Sequence, residues 1–126
     1  MRGIKFYRTR GGKQVVLDVI RSQPVGDRLV IGEDLRTVQL SRTLGPPLCR
    51  WMDNGLFEVR CSLPSRREFR LVCYHDDASS TVIVLHAFVK KGRKAPLTDL
   101  RLAKKRKSEF EQSQESEGCP SGSQCL

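Results

Sequence analysis

Arg60, Arg70, His86, Lys90, Lys91, Arg93 and Lys94 are the residues of this chain whose types and spacing suit chemistry. A guanidinium fork grips a phosphate through two hydrogen bonds. An imidazole exchanges protons near neutral pH, and ammonium groups add charge and a transferable proton. Metal-free cleavage of RNA by its own 2′-hydroxyl needs these parts: a base for the hydroxyl, cations around the crowded phosphorus, and an acid for the departing 5′-oxygen. No carboxylate cluster suited to a metal stands out. None of Cys49, Cys61, Cys73, Cys119 and Cys125 has C-x-x-C spacing or a histidine at zinc-finger spacing. No metal or other cofactor is therefore expected. The first three thiols read as reduced, small core residues and the last two as exposed.

Each candidate also has a plainer reading. Arg60 and Arg70 could pair on the surface with Glu58, Glu68 or Asp76, and His86 could be a satisfied histidine in a half-buried strand. Lys90 and Lys91 could form a solvated basic turn. Arg93 and Lys94 suit contacts to an RNA backbone better than proton transfer. His75, before Asp76 and Asp77, reads as turn chemistry. Tyr74 and Trp51 are aromatics that could stack on a base, although Trp51 fits a lid on the core better; Phe57, Phe69 and Phe88 read as core.

The positioning elements follow from periodicity. Residues 3–8 read as a short strand, ended by Gly11-Gly12. Val15, Val16, Val19 and Ile20 fit a helix over 13–22, stopped at Pro24. A second helix is expected over 27–42, weakened by Gly32. Alternation then predicts strands over 56–62, 68–75 and 81–89, joined by loops short enough for an antiparallel meander. The run Val82-Ile83-Val84-Leu85 predicts burial on both faces and an interior strand. Alternation groups His86 with Val84, Phe88 and Lys90. A last helix, capped by Thr98, should fade near Gln112. The class is α+β: an antiparallel sheet, made of a short N-terminal strand plus a three-stranded meander, packed with two N-terminal helices and a C-terminal helix. The helices are expected on one face.

The 126 residues suit one domain, 1–112, followed by a flexible acidic Ser/Gln/Gly/Cys tail, 113–126. The net charge is +9, unevenly placed: residues 108–126 hold four acids and no base, while His86 to Lys107 hold nine bases and Asp99 alone among acids. Such density attracts polyanions; solvated helix residues such as Lys104, Lys105, Arg106 and Lys107 account for part of it. No apolar run approaches the roughly 20 residues of a membrane span, and the start has no signal-like apolar region. A cytoplasmic protein without membrane partners is expected.

Several segments together resemble a known family: Leu44-Gly45-Pro46-Pro47, then Asn54-Gly55-Leu56-Phe57-Glu58-Val59-Arg60, then Phe69-Arg70-Leu71-Val72. Val84-Leu85-His86-Ala87-Phe88-Val89-Lys90-Lys91 follows, with Pro96 and Ala103 after it. This set resembles the phage-derived HigB-like branch of the RelE/ParE toxin superfamily over about residues 44–107; residues 1–43 match in element order. The resemblance implies a RelE/ParE-like fold and the toxin of a type II toxin–antitoxin pair. Such toxins are typically ribosome-dependent mRNA endoribonucleases, or mRNA interferases. It also implies a helix-turn-helix, HigA-like antitoxin, with operator DNA reached only through that partner. Arg70 matches the superfamily's strand arginine and Arg60 the arginine of the preceding strand. By this reading Arg70, His86, Lys90 and Lys91 are catalytic, and Arg60, Arg93 and Lys94 bind RNA. Glu58 departs from RelE, many relatives of which carry a lysine base near this position. Alternatives are a non-enzymatic poison of DNA gyrase, as ParE relatives are, and a basic nucleic-acid-binding module.

Overall fold

A computed structural model describes residues 1–91 and 97–117. The elements are β1 (Gly3–Phe6), α1 (Val15–Arg21), α2 (Val25–Leu40), β2 (Cys49–Trp51), β3 (Leu56–Ser62), β4 (Glu68–Asp76), β5 (Thr81–Lys90) and α3 (Leu97–Glu117). The sheet has five strands in the order β1-β5-β4-β3-β2. The meander β3-β4-β5 is antiparallel as expected, and β5 is interior. β1 runs parallel to β5, making the sheet mixed. β2, absent from the sequence reading, adds an antiparallel edge against β3. At three residues it is too short for an alternation signal.

The helices cover both faces, not one. α1 and α2 pack on the side formed by Phe57, Val59, Cys61, Phe69, Leu71, Cys73, Val82 and Val84. The inward residues of α2 include Ile31, Leu35 and Val38, and Asp27 is buried with them. Successive gaps of three and four keep them on one stripe. The opposite side holds Leu56, Val72, Tyr74, Ile83 and Leu85, and there α3 contributes Ala103 as its fully buried residue. Because α3 has so thin an apolar stripe, polar contacts have to fix its position. The periodicity of Leu100, Leu102 and Ala103 predicted the helix but not which sheet face receives it.

Three boundaries move. α2 starts at Val25, directly after Pro24, and ends at Leu40. Thr98 lies inside α3 and is not its cap, and α3 continues past Gln112 to Glu117. Asn54 and Gly55 both take positive φ, 62° and 74°, where the chain turns into β3. Glycine reaches that region freely and asparagine tolerates it.

The register shifts once. Cys73 pairs with Val84, but Val72 pairs with His86, so Leu85 is a surplus residue in β5. Such a bulge reverses the alternation beyond it. Val84 therefore faces α1 and α2, while Leu85 packs on the α3 side. His86, paired with Val72, shares that side and not that of Val84. The expected grouping of His86 with Val84 is thus corrected; that with Phe88 and Lys90 stands.

Candidate active site

Residues paired across a ladder project to the same face. The register therefore sets out three rows on the α3 side of the sheet. Arg50, Glu58, Val72 and His86 form the first. Arg60, Arg70 and Phe88 form the second, and Ser62, Glu68 and Lys90 the third. Rows lie about 7 Å apart, strands about 5 Å. Arg70 and His86 are consequently diagonal neighbours on one side of the sheet.

Arg60 is exposed and Lys90 half-buried, whereas Arg70 is only 6% exposed. The Arg70 Nη1 donates to Glu68 Oε1 at 3.3 Å, and its Nε lies 3.9 Å from Glu58 Oε1. That Nε has no hydrogen-bond partner among the described residues. Buried donors are normally satisfied, so an unmet one on a cationic face is a place for an anion. Glu58 is buried as well. The surface-pair reading of Arg70 with Glu58 is therefore replaced by a buried contact, loose by hydrogen-bond standards. Lys91 lies just beyond β5 and is exposed. Arg93 and Lys94 lie outside the described residues.

His86 is held from both sides. Its Nε2 is 2.6 Å from Asp99 Oδ1, and its Nδ1 is 3.4 Å from Arg106 Nη1, which also donates to the Leu85 carbonyl at 2.9 Å. Arginine only donates. This assigns the proton of a neutral ring to Nε2, pointing at Asp99, and leaves Nδ1 as acceptor. Phe88 stacks on the ring, with centroids 5.3 Å apart. Phe88 is half-buried on the cationic face, so it is the site's aromatic and not simply core.

Other aromatic expectations resolve against stacking on this face. Tyr74 is covered by Phe110 and Lys107. Trp51 pairs with Phe57, so it lies on the opposite side of the sheet. It rests on the Phe57 ring and donates to Leu44 O, as a lid does. His75 binds Asp77, which is the turn chemistry expected. Cys49, Cys61 and Cys73 are free and buried, also as expected. Among the described residues no group of His, Cys, Asp and Glu could hold a metal ion, and no helix is long and apolar enough to cross a membrane.

Sequence reasoning missed Asp99 and Arg106 as partners of His86, and Arg50 as a third strand arginine. Asp99 and Arg106 are seven residues apart, two helical turns, and so lie on one stripe of α3. The lone acid in a basic stretch was the available signal. Arg106 turns inward here, not toward solvent, as does Lys107, which donates to Asn54 O at 2.8 Å. Only Lys104 and Lys105 of that run are exposed.

No curated protein matches the chain. Residues 18–108 match the family model described as phage derived protein Gp49-like (DUF891). The matched segment contains all three rows of the sheet face together with Asp99 and Arg106, and the chain therefore belongs to the phage-derived Gp49-like family.

Proposed function

We propose that this protein is the toxin of a toxin–antitoxin pair and cleaves mRNA without a metal, on the ribosome, until a helix-turn-helix antitoxin covers the cationic face. One observation carries the reading: Arg60, Arg70 and Lys90 meet in adjacent rows of one sheet face, and the buried Arg70 Nε has no partner there. The resemblance to RelE and ParE toxins over residues 44–107 and membership of the Gp49-like family support it.

In this mechanism the 2′-oxygen attacks phosphorus and loses its proton. The bond to the 5′-oxygen breaks, that oxygen takes up a proton, and a 2′,3′-cyclic phosphate remains. Arg70 and Arg60 stabilise the added negative charge. His86 already spends both ring nitrogens on α3, so its part is to seat Phe88 and α3 beside the phosphate. Lys90 and Lys91, at the open end of β5, take the proton-transfer role.

The test is induction in a bacterial host with mapping of mRNA 5′ ends, alongside Arg70→Lys. New 5′ ends in wild type and none with the variant are expected. Growth arrest with unchanged transcripts would overturn the nuclease reading, and a supercoiling assay with purified gyrase would then be decisive.

A further inference from the structure

Beside β1 lies a cleft of about 850 Å³, walled by residues 4–10 on one side and by Glu109, Phe110, Gln112 and Ser113 of α3 on the other. Its size falls in the range of ligand clefts, roughly 300–1,000 Å³. Lys5, Arg8 and Arg10 are exposed on its walls, and Phe6 and Phe110 are half-buried there. Its one acid, Glu109, accepts the Tyr7 hydroxyl at 2.6 Å and is thereby engaged. Three cations against one occupied carboxylate, with two aromatic rings, match the two halves of a nucleotide: phosphate for the guanidinium groups, a base for the rings. All these wall residues lie outside the segment 18–108 that the family model matches.

The cleft adjoins the catalytic face through one side chain. The Arg106 guanidinium sits 4.9 Å above the Tyr7 ring, a wall of the cleft. The same group reaches Leu85 O and His86. We propose that this cleft is a second nucleotide-binding subsite, which holds single-stranded RNA flanking the phosphate at Arg70. The proposal rests on the reading that the protein acts on RNA. It adds that Arg8 and Arg10, far from the chemistry in sequence, anchor the strand.

The experiment uses the purified full-length chain and a labelled, uncleavable 2′-O-methyl oligonucleotide of about ten residues, a length in the range that single-strand binders cover. Anisotropy is measured across a salt series for wild type and for Arg8→Glu/Arg10→Glu; circular dichroism verifies that the variant folds. Affinity should fall at least tenfold and the salt slope should drop by about two, one per lost phosphate contact. Equal affinity and slope in the two proteins would overturn the subsite while leaving the Arg70 site untouched. β1 is also the free edge of the sheet, which an extended peptide can join. Tight binding of an acidic peptide, lost in the variant while the oligonucleotide binds wild type and variant alike, would equally overturn it and assign the cleft to a protein partner. Mapped mRNA ends for the variant keep the two readings apart: if wild type yields none, the nuclease reading fails, whatever the anisotropy shows.

Discussion

Arg70 and Glu58 face each other from adjacent strands with Nε and Oε1 3.9 Å apart, and each side chain is only 7% exposed. Burying such a pair is worthwhile only if further hydrogen bonds complete it, and the Arg70 Nε lacks one. Removing one partner should leave the other charge uncompensated, at about 3–5 kcal/mol. Arg70→Ala is therefore expected to melt well below wild type, and adding Glu58→Gln should restore part of the loss. A coupling of about 1–3 kcal/mol in a double-mutant cycle by denaturant unfolding is the expected sign. Strict additivity would show that the two groups do not sense each other.

Lys90 and His86 should separate in kinetics. With purified protein and ribosomes, Lys90→Ala should slow single-turnover cleavage by about 10²–10⁴-fold with RNA affinity nearly unchanged. Asp99→Asn should alter the rate far less, and leave the pH profile in place. A shifted pH profile in Asp99→Asn would instead return the proton-transfer role to the imidazole.

α3 should loosen when its polar anchors are cut. Asp99→Ala or Arg106→Ala each removes a charge-assisted hydrogen bond worth about 1.5–3 kcal/mol. Hydrogen exchange at the amides of 97–113 should quicken, while β4 amides keep their protection. Uniform loss across the sheet would mean that the helix and the sheet open together.

Asp27 gives an acid-side prediction. The Ser65 hydroxyl, ahead of the Arg67 guanidinium, holds its carboxyl below the ordinary range, with burial opposing. A depressed folded value contributes stability above the unfolded carboxylate range. That contribution is lost as the pH falls below about 4 and through the folded value. Asp27→Asn should lower stability at neutral pH and flatten the acid limb in a series of thermal melts. Parallel curves for the two proteins would count against this anchor between α2 and the β3–β4 turn.

The core thiols should be inert. Burial pushes Cys49, Cys61 and Cys73 up, with the Asp34 carboxylate adding to Cys61. Alkylation at mildly alkaline pH should spare all three in the native protein and reach them in denaturant, by peptide mass spectrometry. Native-state labelling at Cys73 would show that the sheet opens.

The meander was legible because its strands carry an alternating or wholly apolar pattern, and the interior place of β5 followed from Val82-Ile83-Val84-Leu85. The shared side of Arg60, Arg70, His86 and Lys90 was legible for the same reason. What the pattern could not carry was contact at a distance. Nothing local says that Asp99 meets His86, that Glu58 is buried, or that α3 lies on the face opposite α2. β2 escaped because three residues are below the length at which alternation is readable. The grouping of Val84 with His86 failed for a subtler reason: a bulge leaves no mark in composition.

That bulge has a consequence for the helix opposite. A regular strand would turn Leu85 away from its neighbour His86; the surplus residue aims both toward α3 and leaves the Leu85 carbonyl free for Arg106. Excising Leu85 would restore an unbroken ladder and leave the imidazole on the same side. It would also strip α3 of an apolar seat and an acceptor in one stroke. A whole helix thus depends for its berth on one irregularity in a neighbouring strand.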